Sequence, residues 1–471
     1  MIFALLVGLP LLGGLVAAAG GRSRRPALVL AAALCALIAV VAAIRNVALD
    51  PTDPLLVYDA TSRLFAGLVN LLFLGISAHV ASRASSEPAF QSTADRFAVF
   101  GLFFLAAANA TVLANDLLLG WCALELTTFA AAPLVADDRT PSKMRASWQY
   151  FLFSSVGLAL VLAGLSCLHR AIGPDHMLTA TSLPLMVTSL NGQWGRLGVA
   201  LVIAGYGTKL GLFPMNNWLP TTYAAAPAPV TALLGAIQFN CALVGLLRIL
   251  YAFHGSLPPL VTQELLWIGM LTMAVSTLGI ITTRDYLRLL GYASINHAGV
   301  IAVGLSLGGT AAYGVLLYAV SNAFIKAILF LTAGRVYARF GTSLADDVRG
   351  LVKAMPFSGL SLMVGTFALL GLPPFGSFLG ELMMLSALVE SGRTALLFPF
   401  CASLVASFVA TGRTLFPMIW GENQATPVFG DRLTDTIPKA VFLVALVALG
   451  LYIPAPINVL LRDAATHLGA P

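Results

Sequence analysis

Four charged side chains stand within stretches of sequence that are otherwise apolar: Glu125, Lys209, Lys326 and Glu381. A charge near the centre of a bilayer costs about 2.5–3.5 kcal/mol even on a permissive insertion scale, so such residues normally pair and have a function. Burial disfavours the charged forms of both lysine and glutamate, which allows these groups to gain and lose protons near neutral pH. The series predicts a path for proton transfer. The alternative is that each charge forms a static ion pair that pins two helices.

Two other titratable or charged groups belong to this interpretation. His297 opens an apolar stretch and can exchange protons near neutral pH, although a histidine at a helix end is as often an ordinary hydrogen-bonded residue. Arg248 keeps its proton in proteins, so we expect a fixed charge that biases a neighbouring lysine, or an anchor at a helix end. The remaining histidines are expected to be peripheral and have no metal-ligand spacing: His79, His169, His176, His254 and His467.

The composition indicates the environment in which these charges lie. Of the 471 residues, 59% are hydrophobic and 10% are charged, whereas about a quarter of the residues of a soluble domain are charged. A disordered chain is excluded as well, because it is polar and highly charged. Basic cytoplasmic loops account for the net charge of +6 without nucleic acid as a partner. We therefore predict an all-α polytopic membrane protein.

Fourteen apolar segments can be counted, each suited to a span of about 20 residues. They begin near residues 2, 26, 60, 97, 117, 148, 197, 230, 264, 288, 312, 357, 394 and 438, and only Asn115 and Asp116 separate the fourth from the fifth. The odd-numbered loops hold most of the 26 lysines and arginines. The positive-inside rule then puts both termini on the non-cytoplasmic side of a bacterial-type inner (cytoplasmic) membrane. The first run precedes a basic turn, the reverse of a signal peptide, and is expected to be retained.

The seventh and twelfth segments are both interrupted by glycine and proline. They read GTKLGLFP at 207–214 and GLPPFG at 371–376, so the interruptions contain Pro214, Pro373 and Pro374. Backbone groups freed in this way must face protein or a wet cavity. Because the interruptions are five segments apart, we predict two inverted five-helix repeats, as in secondary transporters. The alternative is two unrelated proline kinks. The predicted units are residues 1–96, a first repeat at 97–252, a second at 264–419, and a C-terminal helix within 438–471.

The cysteines give no sign of a metal or redox centre. All five fall in apolar runs and no two are spaced C-x-x-C, which favours buried packing residues over a disulfide framework, zinc or an iron–sulfur cluster. They are Cys35, Cys122, Cys167, Cys241 and Cys401. The sequence also has no Walker loop, dinucleotide-binding glycine pattern or Ser/His/Asp set. We expect no metal, no cofactor and no active site of its own in this chain.

Several motifs resemble the antiporter-like subunits of respiratory complex I. Residues 207–220 and 226–230 are similar to the seventh-helix signature, while 121–128, 148–150, 240–243 and 371–381 look closest to component F of hydrogenase-4-type complexes. The resemblance covers most of the chain and implies a fourteen-helix fold with inverted repeats. It also implies residue roles. Glu125 and Lys209 match the pair thought to load and release protons, Lys326 matches the lysine of the eleventh helix, and Glu381 matches the charged residue of the broken twelfth.

The chain departs from this family at several positions of the expected polar axis. Asn240 stands where complex I subunits have lysine, as in the hydrogenase-4 branch. Six further positions carry neutral residues in place of titratable ones: Asn216, Thr221, Tyr223 and Ala225 for His, Asp, His and Glu after the seventh helix, Asn322 for a His before Lys326, and Asn296 for a Glu before His297. Neutral polar side chains can still hold water. We therefore expect Asn240, Arg248, Asn322 and Tyr223 to support the axis.

Four functions follow from the resemblance. The first is a proton-translocating subunit of a complex I-like or hydrogenase-4-like oxidoreductase complex, with iron–sulfur and [NiFe] groups only in a partner, such as a peripheral hydrogenase, formate or carbon monoxide oxidising arm. The second is the proton or sodium conducting membrane half of an inorganic carbon uptake complex with a soluble zinc partner. The third is a subunit of a multi-subunit sodium/proton antiporter. The fourth is a scaffold with an inactive channel.

Overall fold

The computed structural model describes residues 2–21, 24–44, 53–253, 257–422 and 433–469. Within these ranges nearly all secondary structure is helical, and β pairing is limited to isolated bridges. This confirms the predicted all-α polytopic class. His254 lies outside the described residues.

The first six helices are long, and the second to sixth are apolar enough to cross a membrane. They are α1 (Ile2–Ala19), α2 (Arg24–Ile44), α3 (Ala60–Ser86), α4 (Gln91–Leu113), α5 (Leu117–Val135) and α6 (Pro141–Ile172). The narrow division between α4 and α5 is real, because the Asp116 carboxylate accepts a hydrogen bond from the N–H of Leu119 and so caps the start of α5.

The next helices include the first interrupted segment. They are α7 (Gln193–Leu210), α8 (Trp218–Ala225), α9 (Ala228–Phe253, with a π-helical turn at Leu233–Gln238), α10 (Pro259–Thr282), α11 (Tyr286–Ser306) and α12 (Gly309–Phe340). The helices α9, α11 and α12 are almost wholly buried in the bundle. These three central helices carry Asn240, His297 and Lys326, and so set the positions of the candidate site.

The remaining helices contain the second interruption. They are α13 (Pro356–Leu369), α14 (Gly376–Glu390), α15 (Leu397–Trp420), α16 (Leu433–Leu451) and α17 (Ala455–Thr466). The helix α12 packs against α11, α13, α14, α16 and α17, which makes it the centre of the second half. The C-terminal region expected to be one helix is divided by residues 452–454 into α16 and α17, and Pro454 caps the start of α17.

Both predicted helix interruptions are present and have the same local form. After α7 the chain turns at Gly211, with φ of 86°, before α8 begins, and after α13 it turns at Gly371, with φ of 64°, before α14 begins. Only glycine adopts such a conformation without steric cost. Eleven of the described helices are long and apolar enough to span a membrane, and α13 and part of α1 are shorter apolar helices. Each of the fourteen predicted segments coincides with described helix, while the domain boundaries stay predictions.

Close backbone contact sets the position of α7 against α6. A Cβ atom added to Gly157 would lie 2.7 Å from the Cβ of Thr208, and one added to Gly205 would lie 2.6 Å from the carbonyl oxygen of Gly157. Small residues let helix backbones approach in this way. As a result, Lys209 at the end of α7 comes beside Tyr150 of α6.

Candidate functional site: a buried polar axis

Lys209 lies in the last turn of α7, directly before the first helix interruption, and its side chain is buried. The ammonium group donates a hydrogen bond to the hydroxyl of Thr128 on α5. It also lies 5.7 Å from the centre of the Tyr150 ring. The sequence prediction of a buried lysine beside the interruption therefore matches its position.

Glu125 lies one helical turn before Thr128 on α5. Its carboxylate accepts hydrogen bonds from Ser155 of α6 at 2.7 Å and from Thr128 at 3.5 Å. Thr128 thus stands between Glu125 and Lys209, accepting from the ammonium group and donating to the carboxylate. The two predicted partners are joined through a hydroxyl, a group that can both give and take a proton. Glu125 is only half-buried, on the outer side of the bundle.

A second set of hydrogen bonds fixes the ring of Tyr150. Its hydroxyl donates to Gln238 at 3.0 Å, and the Gln238 amide donates to Thr127 at 2.8 Å. Gln238 lies in the π-helical turn of α9, and such turns are frequent at functional sites. The sequence analysis did not identify Thr128, Ser155 or Gln238. The available signal was the presence of polar side chains one turn from Glu125 and within an otherwise apolar segment.

Between the two halves of the bundle, Lys326 has no hydrogen-bond or ion-pair partner among the described residues. Its ammonium group lies 3.8 Å from the centre of the Phe239 ring. The adjacent Asn240 donates to the carbonyl of Ala236 at 2.6 Å, while its own amide oxygen is buried without a described partner. Buried polar atoms of this kind are normally satisfied, and ordered water is the usual agent.

The second half of the axis runs along one face of α12. His297 Nδ1 lies 2.9 Å from the amide oxygen of Asn322, and its ring packs against that of Tyr318 with centroids 5.4 Å apart. The Tyr318 hydroxyl donates to Glu381 at 3.1 Å. Because Tyr318, Asn322 and Lys326 are four residues apart, they share a helix face. The structure therefore brings His297, Asn322 and Glu381 together as one polar series.

A cavity of about 40 Å³ adjoins this series. It is lined by Asn296, His297, Glu381, Ser407 and Thr411, among others. The volume is enough for a small number of water molecules, since each needs roughly 10–15 Å³ on this measure. The Asn296 amide donates to Ser276 at 3.1 Å and to Ser407 at 3.3 Å. A neutral residue at this position is thus hydrogen-bonded and borders space for water.

Arg248 lies at the other end of α9. Its guanidinium group binds both carboxylate oxygens of Asp59, one at 3.1 Å, and donates to Ser62 at 2.6 Å. Burial alone raises the pKa of Asp59, but Arg248 and the Ser62 N–H reverse this effect and lower it to about 2. The contacts of Arg248 are therefore those of an anchor at the start of α3, and not those of a neighbour of either lysine.

A large vestibule of about 870 Å³ opens on the side of the bundle where the odd-numbered loops lie. Its rim is mixed in charge and includes Arg83, Asp138, Lys143 and Arg288, together with other residues of five loops and helix ends. Its floor contains Tyr223 and Phe330, whose rings meet edge to face with centroids 5.2 Å apart.

The floor of the vestibule adjoins the polar axis. Phe330 lies one helical turn from Lys326 on α12, and the Tyr223 ring packs against Trp218, which in turn packs against Tyr150. Aromatic rings therefore separate the vestibule from both lysines. Pro214 lies between α7 and α8, and Pro373 and Pro374 lie between α13 and α14, within the two interruptions.

One cluster of buried charges contradicts the expectation that Glu125 and Glu381 are the only acidic groups deep in apolar segments. Asp435 of α16 is fully buried, accepts from Ser82 at 2.6 Å and lies 3.4 Å from Arg335 of α12. His79, expected to be peripheral, is also fully buried, with Nδ1 3.1 Å from the carbonyl of Asp435. The prediction failed because the apolar run of α16 starts only after Asp435, so this residue reads as part of a loop.

The cysteine prediction is wrong in part. Cys35 and Cys241 are buried, but Cys122 is exposed on α5, and Cys167 and Cys401 are partly exposed. An apolar run alone cannot distinguish the membrane-facing side of a helix from its packed side. Among the described residues, no group of His, Cys, Asp and Glu is placed to hold a metal ion.

Comparison with known proteins places these features in a family. Residues 114–406 match the family described as NADH:quinone oxidoreductase/Mrp antiporter, TM. The chain is 29% identical over 360 residues to the hydrogenase-4 component F homolog of Methylacidiphilum infernorum (isolate V4), covering 74% of each protein. It is 27% identical over 352 residues to a Na(+)/H(+) antiporter subunit of Bacillus subtilis (strain 168), covering 74% of this chain and 71% of the relative.

The fold has a close counterpart among solved structures. A chain of the membrane-bound sulfane sulfur reductase (MBS), an archaeal respiratory membrane complex, superimposes with a TM-score of 0.89 and 24% identity, over 100% of this chain and 98% of that one. The protein is thus an integral, multi-pass membrane subunit of the complex I-like and antiporter-like class. It belongs to the NADH:quinone oxidoreductase/Mrp antiporter transmembrane family. The resemblance indicated by its motifs is confirmed.

Proposed function

We propose that this chain is a proton-translocating membrane subunit of a complex I-like, hydrogenase-4-like complex. The observation that carries the proposal is the polar series in the centre of an apolar bundle, in which Lys209 reaches Glu125 through Thr128 and His297 and Tyr318 lead towards Glu381. A relative named hydrogenase-4 component F homolog supports the choice of branch.

The proposed path uses each side chain according to its chemistry. A charged Lys209 gives a proton to Thr128 as Thr128 gives its own to Glu125, so one proton moves between the two ends. Lys326, held against Phe239, accepts and releases a proton without breaking an ion pair. Water near Asn240 and Asn322 bridges the lysines, and Tyr318 passes protons between the His297 region and Glu381. The driving energy comes from a partner that holds the iron–sulfur and nickel–iron groups.

The proposal also assigns the sides of the membrane. The vestibule is placed on the cytoplasmic side of a bacterial-type inner membrane, because the odd-numbered loops around it carry the basic residues. Both termini then lie on the non-cytoplasmic side. The two helix interruptions belong to inverted repeats at 97–252 and 264–419, with ion-binding groups beside each interruption.

The decisive experiment is purification in a gentle detergent, followed by mass spectrometry of the partners and analysis for iron, nickel and zinc. Iron and nickel with hydrogenase-like subunits are the expected result. In that complex, Lys209→Ala should uncouple turnover from proton movement, measured as fluorescence quenching of a pH-sensitive dye in proteoliposomes. An isolated complex without iron would overturn the redox-driven proposal.

A second candidate is the proton or sodium conducting half of an inorganic carbon uptake complex. The observation in its favour is the neutral polar axis, in which Asn296 and Asn322 stand at positions that are titratable in the family and Lys326 has no described carboxylate partner. Such an axis suits a one-way conductor. Zinc with one large soluble partner, and growth rescue at low carbon dioxide, would select this function. The antiporter relative keeps a sodium/proton exchanger as the third candidate.

A further inference from the structure

A groove of about 650 Å³ opens on the outer surface of the bundle, where α4, α5 and α6 approach the side of the odd-numbered loops. Its wall is mainly aromatic and apolar. The residues that form this wall are Phe100, Phe129, Pro133, Met144, Trp148 and Phe151. The groove is separate from the polar axis and from the vestibule.

The wall of the groove is rigid and open to the membrane. Phe129 and Trp148 are 53% and 57% exposed, and both rings pack against Phe151, with centroids 5.4 and 6.1 Å away. At its base the Ser147 hydroxyl donates to the carbonyl of Ala132 at 2.8 Å, which joins α6 to α5. The groove is therefore a preformed apolar concavity of the kind that holds a hydrocarbon chain.

Two arginines lie among the groove residues. Arg96 is 3.7 Å from Asp137. Arg139 is exposed and makes no ion pair with any described residue, and the same is true of the nearby Arg145. Arg139 is also the single described non-glycine residue with positive φ, at 55°, a conformation that is uncommon for side chains with a Cβ. Positive charge therefore exceeds negative charge at this end of the groove.

We propose that the groove binds one anionic phospholipid from the leaflet on the odd-loop side. Its phosphate contacts Arg96 and Arg139, and an acyl chain lies along Phe129 and Trp148. Basic pockets between transmembrane helices on the cytoplasmic side bind anionic head groups, and tryptophan is enriched at head-group depth. A protein partner in this position would have to supply both a carboxylate for Arg139 and an apolar ridge that fills the concavity, whereas one phospholipid supplies both features.

Native mass spectrometry of the detergent-purified full chain tests the proposal, with palmitoyl-oleoyl phosphatidylglycerol and phosphatidylcholine as probes. One tightly held phosphatidylglycerol is expected, and phosphatidylcholine should bind more weakly. Each arginine near a charged head group is worth roughly fivefold in affinity, so Arg96→Ala/Arg139→Ala should lower the ratio of bound to free chain about twenty-five-fold. Trp148→Ala should weaken the retention of both lipids, because it removes contact with the acyl chain.

The matched control is Arg284→Ala/Arg349→Ala, which removes the same charge from exposed side chains on the same side, 82% and 45% accessible, that both lie near Asp346. This control should retain phosphatidylglycerol like the wild type. Equal retention of the two lipids, or unchanged retention by Arg96→Ala/Arg139→Ala, would overturn the proposal. If that double variant instead loses a co-purifying membrane subunit while its lipid retention is unchanged, the groove is a protein interface. None of these outcomes depends on proton transport.

Discussion

The ammonium group of Lys326 lies 3.8 Å from the centre of the Phe239 ring, and no described carboxylate contacts it. A cation over an aromatic face is attracted to the ring without a full opposite charge. Release of the proton therefore leaves no buried carboxylate behind without a partner. This arrangement suits a lysine that changes its charge during turnover better than one that pins two helices.

Lys326→Ala is expected to slow proton translocation by at least about 100-fold, the lower range for loss of a positioned acid–base group. The measurement is dye quenching in proteoliposomes that contain the purified complex. Lys353→Ala is the control, because Lys353 is exposed in the segment between α12 and α13. Full activity of the Lys326 variant would assign Lys326 to a structural role.

Thr128 provides a sharper test of the first half of the axis. Thr128→Val keeps the shape of the side chain but removes the hydroxyl that joins Lys209 to Glu125, so translocation should fall roughly tenfold, the kinetic equivalent of one charge-assisted hydrogen bond. Thr128→Ser should restore most of the rate. Thr282→Val is the control, because the Thr282 hydroxyl bonds only to the backbone of its own helix. Equal rates for the valine and serine variants would exclude a relay through Thr128.

The sequence was sufficient to predict the helices and the charged members of the axis, because a charge in an apolar segment is conspicuous. Glu125, Lys209, Lys326 and Glu381 were identified in this way. It did not identify Thr128 or Tyr318, since hydroxyl side chains are common in membrane helices and carry no charge. What makes them important is the distance to a residue on another helix, and this information exists only in the packed structure.

The same limit explains the failed predictions. The burial of Asp435 and His79 follows from the packing of α16 against α3 and α12, contacts between segments that are far apart in sequence. The exposure of Cys122 follows from the direction that one face of α5 takes. Arg248 was expected either to bias a lysine or to anchor a helix, and only the position of Asp59 distinguishes these alternatives.

Phe330→Ala tests whether the floor of the vestibule controls the access of water. The ring of Phe330 and that of Tyr223 close the vestibule above Lys326, and apolar constrictions of this kind exclude water and ions. Passive proton leak through proteoliposomes without a driving substrate should therefore rise roughly tenfold, an opening equivalent to about 1.4 kcal/mol of barrier. Phe398→Ala is the control, since Phe398 is 80% exposed on the outer surface. Equal leak in both variants would place the barrier elsewhere.

The Asp59–Arg248 pair predicts how stability depends on pH. Asp59→Asn should destabilise the protein at pH 7 by about 3 kcal/mol, because Arg248 stays buried without its carboxylate. Although burial raises the pKa of Asp59, Arg248 lowers it further, to about 2 from 3.8. A group whose pKa is lower in the folded state stabilises fully above its unfolded pKa and loses this effect as the pH falls through the folded pKa. The difference in thermal unfolding between wild type and variant, measured in detergent by circular dichroism, should thus be constant at neutral pH and shrink between pH about 4 and about 2. Asp175→Asn, at an exposed loop position, should match the wild type throughout. A difference between Asp59→Asn and wild type that persists undiminished at pH about 2 would show that the carboxylate charge is not what holds Arg248 in place.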